Sequence, residues 1–169
     1  MKLFTLRNKA NDNTLTLQAE RSRLLQYARY RLGSDDEAED IVQDAWLSLC
    51  QKQSEGFAPA NVSAYLFRAV SNLCVSRQRE AARWRQVPYE TQSHLPAAET
   101  ENFEEEFQRI RRLLSLIPDE QAEVIQLRYY GDKSFREIAD ILDIPLSTAK
   151  SRFVYGMDKI RQSFTSLNR

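Results

Sequence analysis

The stretch Ser134-Phe-Arg-Glu-Ile-Ala-Asp-Ile-Leu-Asp-Ile-Pro-Leu-Ser-Thr-Ala-Lys-Ser-Arg-Phe-Val-Tyr-Gly-Met-Asp-Lys-Ile160 reads as two helices around a tight turn. Ser134 and Glu137 have capping-box spacing, in which the serine side chain and the glutamate each satisfy a free backbone N–H at a helix start. A short helix over 135–142 follows, Asp143-Ile144-Pro145 turns the chain, and a longer helix runs over 147–164. In that longer helix Ala149, Phe153, Gly156 and Ile160 recur at helical spacing and face inward. Ser147, Lys150, Ser151, Val154, Tyr155 and Asp158 lie on or beside the other face. A short helix, a tight turn and a longer helix make the unit that inserts its second helix into the major groove of DNA. Lys150 and Ser151 can donate to base edges or phosphates, and Val154 can meet a thymine methyl. Arg128, Lys133, Arg136 and Arg152 are placed to reach phosphates around the groove. The same pattern also suits an αα-hairpin with no ligand.

Working outward, helices are expected over 102–117 and 119–130, with Pro118 between them and Gly131 ending the second. Residues 87–101, with two prolines and the only histidine, His94, read as a linker. Before it, helices are expected over 17–32, from Ser34 onward with a capping box to Glu37, and over 62–84. Residues 53–61 read as a loop, and residues 1–16 as a flexible polar segment. No strand is needed. The expected fold is all-α: two small helical domains, 17–86 and 102–169, joined by a flexible linker.

Composition agrees. Of 169 residues 42% are hydrophobic, enough for a packed core, while 4 glycines and 5 prolines favour helices over a turn-rich sandwich. No apolar run has signal-peptide or membrane-spanning length, so a cytoplasmic location is expected. Cys50 and Cys74 make no disulfide scaffold and lack metal-ligand spacing with His94, and no nucleophile triad or phosphate loop stands out. An enzyme is therefore not expected, and neither is a cofactor or metal.

The zero net charge conceals segregation. Residues 1–90 carry +2, 91–110 carry −4 and 111–169 carry +2. Asp35, Asp36, Glu37, Glu39, Asp40 and Asp44 form an acidic block; Arg68, Arg77, Arg79, Arg83 and Arg85 form a basic one. Opposite signs on one small domain point to two different partners, or to two solvated helix faces.

Three groups of residues carry a family resemblance. Asp40-Ile-Val-Gln-Asp-Ala-Trp-Leu-Ser-Leu49 and Ala64-Tyr-Leu-Phe-Arg-Ala-Val-Ser-Asn72 resemble region two of bacterial sigma factors. Leu116-Ile-Pro-Asp-Glu-Gln-Ala-Glu-Val-Ile-Gln-Leu-Arg-Tyr129, Ser134-Phe-Arg-Glu-Ile-Ala139 and Ser147-Thr-Ala-Lys-Ser-Arg152 resemble region four. Their order and short linker are similar to the extracytoplasmic-function class, over about residues 17–164. The resemblance implies a protein that binds core RNA polymerase, directs it to promoter DNA and helps open the duplex, under the control of an anti-sigma factor. It implies polymerase contacts at Asp40, Gln43, Asp44 and Leu47, with Trp46 either adjacent to them or simply core. Proximal promoter contacts fall to Arg68, Asn72, Ser76, Arg77, Arg79 and Arg83. Phe57 either stacks on a flipped base or anchors its loop. Distal promoter contacts fall to Ser147, Thr148, Lys150, Ser151, Arg152, Val154 and Tyr155, with Arg128, Lys133 and Arg136 nearby. The glutamates at 99, 101 and 104–106 either act in the polymerase channel or are merely solvated. Phe153-Val-Tyr-Gly-Met-Asp-Lys159 is poorer in arginine than many members, and Ser76 stands where many carry an acid or amide. A stand-alone helix-turn-helix regulator would explain residues 111–164 but not the charged faces of 34–85.

Overall fold

The computed structural model describes residues 2–84 and 100–167. Seven helices make up the described residues: α1 (Lys2–Leu32), α2 (Asp35–Ser54), α3 (Val62–Trp84), α4 (Thr100–Ser115), α5 (Asp119–Tyr129), α6 (Phe135–Leu142) and α7 (Leu146–Leu167). Arg85, His94, Glu99 and most of the expected linker lie outside the described residues.

The flexible segment expected over 1–16 is corrected from Lys2 onward: α1 starts there rather than at Leu17. No glycine or proline precedes Gly33, so nothing in the polar run breaks a helix. The apolar rhythm begins at Leu17, which packs against the core. Gly33 has φ +84, and an arginine guanidinium, that of Arg111, sits where a Cβ would project. Ser34 caps α2, accepting from the Glu37 backbone N–H. The α6 capping box is complete, with Ser134 N donating to the Glu137 carboxylate at 2.8 Å. Asp143 ends α6 in the left-handed region at φ 54, and its N–H donates to Ala139 O. Gly131 does not end α5 by a left-handed turn; Asp132 takes that conformation at φ 50. Instead a Cβ at Gly131 would lie 2.7 Å from Leu127 O and 3.1 Å from the Phe67 ring.

That contact crosses between the two halves of the chain. α1 packs on α2 and α3, α5 and α6 pack on α7, and α3 also packs on α6. One buried cluster joins Leu24, Tyr27, Ile41, Leu49, Phe67 and Val70 to Val124, Leu127, Ile138 and Ile141. A smaller cluster, Leu114, Ile117, Ala122 and Ile125, holds α4 and α5 against Phe153, Met157 and Ile160 of α7. Fully burying each such large side chain contributes about 1.5–3 kcal/mol. The two units thus share a hydrophobic interior. Cys74 lies inside it and Cys50 is exposed; burial pushes the Cys74 thiol up to about 12.

Candidate nucleic-acid interface

The helix-turn-helix is built by α6 and α7. Ala149 and Gly156 are buried and Phe153 packs edge-on against Phe135, which fixes the angle between the two helices. The opposite face of α7 is open. Ser147 and Lys150 are exposed, Val154 is 53% exposed and Tyr155 62%. Thr148 and Ser151 are half-buried, and the Ser151 hydroxyl donates to Thr148 O at 3.1 Å. Lys150 and Arg136 make no ion pair among the described residues.

The other three cations expected at phosphates are engaged within the protein. Lys133 needs correction: it is 3% exposed, and its Nζ donates to Glu20 Oε1 at 2.8 Å and Ser63 Oγ at 3.0 Å. An ammonium so enclosed cannot reach a phosphate in this arrangement. Arg128 Nη1 donates to Lys133 O at 2.9 Å while its guanidinium lies over Phe135, so it braces the turn before α6. Arg152 pairs with Glu120 of α5.

On α3, Arg68, Asn72, Ser76, Arg79 and Arg83 are all exposed and fall at helical spacing along one stripe. Arg77 lies beside it, half-buried. Amides and hydroxyls suit base edges and guanidinium groups suit phosphates. Arg68, at the head of the stripe, is occupied: its Nε donates to Ile141 O at 2.9 Å and its Nη2 to Asp140 O.

Phe57 is 44% exposed in the loop after α2. Its ring lies 5.4 Å from that of Tyr65, with Lys52 above Tyr65. The sequence reading named Phe57 but missed Tyr65, whose helical spacing marks it only as a packing residue. On α2, Ala38, Ile41, Val42, Ala45 and Leu49 are buried, so Asp40, Gln43, Asp44 and Leu47 project outward; Leu47 is 56% exposed. Asp40 and Asp44 make no ion pair among the described residues. Trp46 is half-buried and packs on the core, so it belongs chiefly to the interior.

The chain is similar to proteins already known. The Sigma-70 region 2 family matches residues 16–84 and the Sigma-70, region 4 family matches 113–162. The ECF RNA polymerase sigma factor SigL of Mycobacterium tuberculosis is 32% identical over 149 residues, 85% of this chain and 84% of that protein. The ECF RNA polymerase sigma factor RpoE of Cereibacter sphaeroides is 29% identical over 133 residues, 75% of this chain and 71% of that one. Among solved structures, the sigma factor RpoE in complex with the anti-sigma factor NepR from Bartonella quintana superposes with a TM-score of 0.67 at 25% identity, covering 94% of this chain and 99% of that one. CnrH in complex with the cytosolic domain of CnrY shares the fold, with a TM-score of 0.69 at 20% identity over 93% and 90% of the two chains.

Proposed function

Since this chain belongs to the extracytoplasmic-function RNA polymerase sigma factors, we propose that its three outward surfaces divide the work of that family. The observation that carries the assignment is their separation: an acidic face on α2, a polar and basic stripe on α3, and the open face of α7. Asp40, Gln43, Asp44 and Leu47 dock on core polymerase, where complementary charge speeds encounter and fixes register. Asn72, Ser76, Arg77, Arg79 and Arg83, with Arg68 once freed, hold the proximal promoter element. Ser147, Thr148, Lys150, Ser151, Val154 and Tyr155 read the distal one, with Arg136 at a phosphate.

Duplex opening costs stacking energy. Phe57, exposed and backed by the half-buried Tyr65, offers an aromatic surface for an unstacked base, and such stacking returns about 1–3 kcal/mol per base. No covalent step is assigned to the chain: it lends specificity to an enzyme that performs the chemistry. Its place of work is the cytoplasm, and a protein antagonist is expected, because both superposed relatives were solved bound to another chain, named as an anti-sigma factor for RpoE.

Runoff transcription with purified core polymerase on a genomic fragment library tests the reading. A discrete set of products that depends on this protein is the expected result. Active polymerase that gains no promoter-specific product would refute it.

A further inference from the structure

We propose that Glu120, on α5, is a positioning residue that withholds Arg152 from promoter DNA: its carboxylate takes a phosphate's place on that guanidinium and keeps the sequence-independent part of distal-element binding low. The inference rests on the assignment of α7 to the distal element and adds to it a residue outside the helix-turn-helix.

The first observation is where Arg152 stands. It lies at the border between the two faces of α7. Ala149 and Gly156, about one turn to either side, are buried, while Lys150 and Val154 are exposed. Gly156 lets α7 cross α5 closely, where an added Cβ would lie 3.2 Å from Gln121 Cβ. That crossing brings the first turn of α5 beside Arg152, and the guanidinium donates to the Glu120 carboxylate there. The positive end of the α5 dipole favours an acid at that turn. Both side chains are open to water, Arg152 at 27% and Glu120 at 60% exposure. An ion pair so wetted stabilises a fold little. Its effect on a nucleic acid is larger, because the carboxylate occupies the donors that a phosphate would use and cancels the charge that would attract it.

The second observation is that the surrounding cations are treated alike. Arg161, the other arginine of α7, pairs with Asp158 at 3.1 Å. Arg128 and Lys133 are bonded within the protein. Phosphate contacts add affinity on any sequence, whereas base contacts discriminate. A face whose arginines are neutralised in this way leaves recognition to Lys150, Ser151, Val154 and Tyr155. It holds DNA weakly by itself and depends on polymerase to bring it to a promoter.

The test is a salt titration of DNA binding by the full chain. Each phosphate newly neutralised on a duplex steepens the fall of log affinity with log salt by about 0.9. Glu120→Gln keeps the size of the side chain and removes its charge. On a random-sequence duplex it should bind several-fold tighter than wild type, with a slope steeper by about 0.9. The same gain should appear within holoenzyme, on templates with and without the distal element alike, while core polymerase affinity is unchanged. Glu120→Ala, the second variant, should behave in the same way. Glu120→Gln combined with Arg152→Gln should return the slope to the wild-type value, which identifies Arg152 as the cation released. An unchanged slope in both single variants overturns the proposal, as does a slope that stays steep in the double variant. A gain confined to templates that carry the element also overturns it, since a phosphate contact reads no sequence. Lost stability without a change of slope would make the pair a mere clamp between α5 and α7, and overturns it too. If no form binds core polymerase, the proposed function falls, while the slope on the random-sequence duplex still decides whether Glu120 withholds Arg152.

Discussion

Replacing Gly156 by alanine sets two known effects against each other in α7, the helix we assign to the distal element. Alanine is favoured over glycine by about 1 kcal/mol in a helix interior, so on an exposed face the change would stabilise. At this position α7 crosses α5 closely. A Cβ would lie 2.8 Å from Ile125 Cδ1, 3.2 Å from Gln121 Cβ and 3.5 Å from Ile117 Cδ1. Ile125 Cδ1 ends a flexible side chain and can swing aside. Gln121 Cβ is fixed to the α5 backbone, so only a shift of one helix relieves that contact. Overpacking of this kind costs about 1–3 kcal/mol, which outweighs the propensity gain and leaves Gly156→Ala destabilised by about 1 kcal/mol. Urea unfolding followed by circular dichroism measures this directly, and Gly156→Leu should be several-fold worse. The displaced α7 should also weaken distal-element binding within holoenzyme while polymerase affinity is retained. An alanine variant more stable than wild type by the full propensity gain would refute the packing argument.

Three further outcomes are expected. Lys150→Ala and Val154→Ala should each weaken holoenzyme binding to templates that carry the distal element, by about 1–3 kcal/mol for a base contact, and leave templates without it unaffected; equal losses on both templates contradict the assignment. Asp40→Ala with Gln43→Ala should loosen core polymerase binding on any template, as read by fluorescence titration, and unaltered affinity contradicts docking through α2. Ser134→Ala should remove about 1 kcal/mol of stability by uncapping α6. The Ser134 hydroxyl, with its backbone N–H and the nearby Lys133 and Arg128 charges, holds the Glu137 carboxyl below its ordinary value of 4.5. A lowered folded-state value means that this stabilisation is complete at neutral pH and is lost as acid protonates the group. The stability gap between wild type and Ser134→Ala should therefore narrow as pH falls below 4.5, and a gap that widens in acid counts against the capping role.

Local signals were the readable ones. Ser134 with Glu137, and Pro145 between two apolar rhythms, lie within a few residues of one another, and the structure forms α6 and α7 there. The outward face of α2 was equally plain, because Ala38, Ile41, Val42, Ala45 and Leu49 leave only one side for the acids. Lys133 could not be read in this way. A lysine beside a turn reads as solvated, and its partners Glu20 and Ser63 stand 113 and 70 positions away in sequence. Arg68 and the α6 carbonyls are likewise 72 and 73 positions apart. Gly131 follows the end of α5 as expected, but the left-handed conformation falls to Asp132, and the glycine leaves room for Leu127 O and for a ring from the other unit. The N-terminal half of α1 was hidden because its polar sequence carries no apolar rhythm.

The placement of the two cysteines equips the native protein as its own reporter. Cys50 stands exposed on α2, the same helix as Asp40 and Asp44, and accepts a maleimide dye without mutation. Cys74, sealed in the interior with its thiol held protonated, reacts only when that interior opens. A pulse of thiol reagent would therefore tag the first at once and count excursions of the second, so breathing of the core can be timed in unaltered protein.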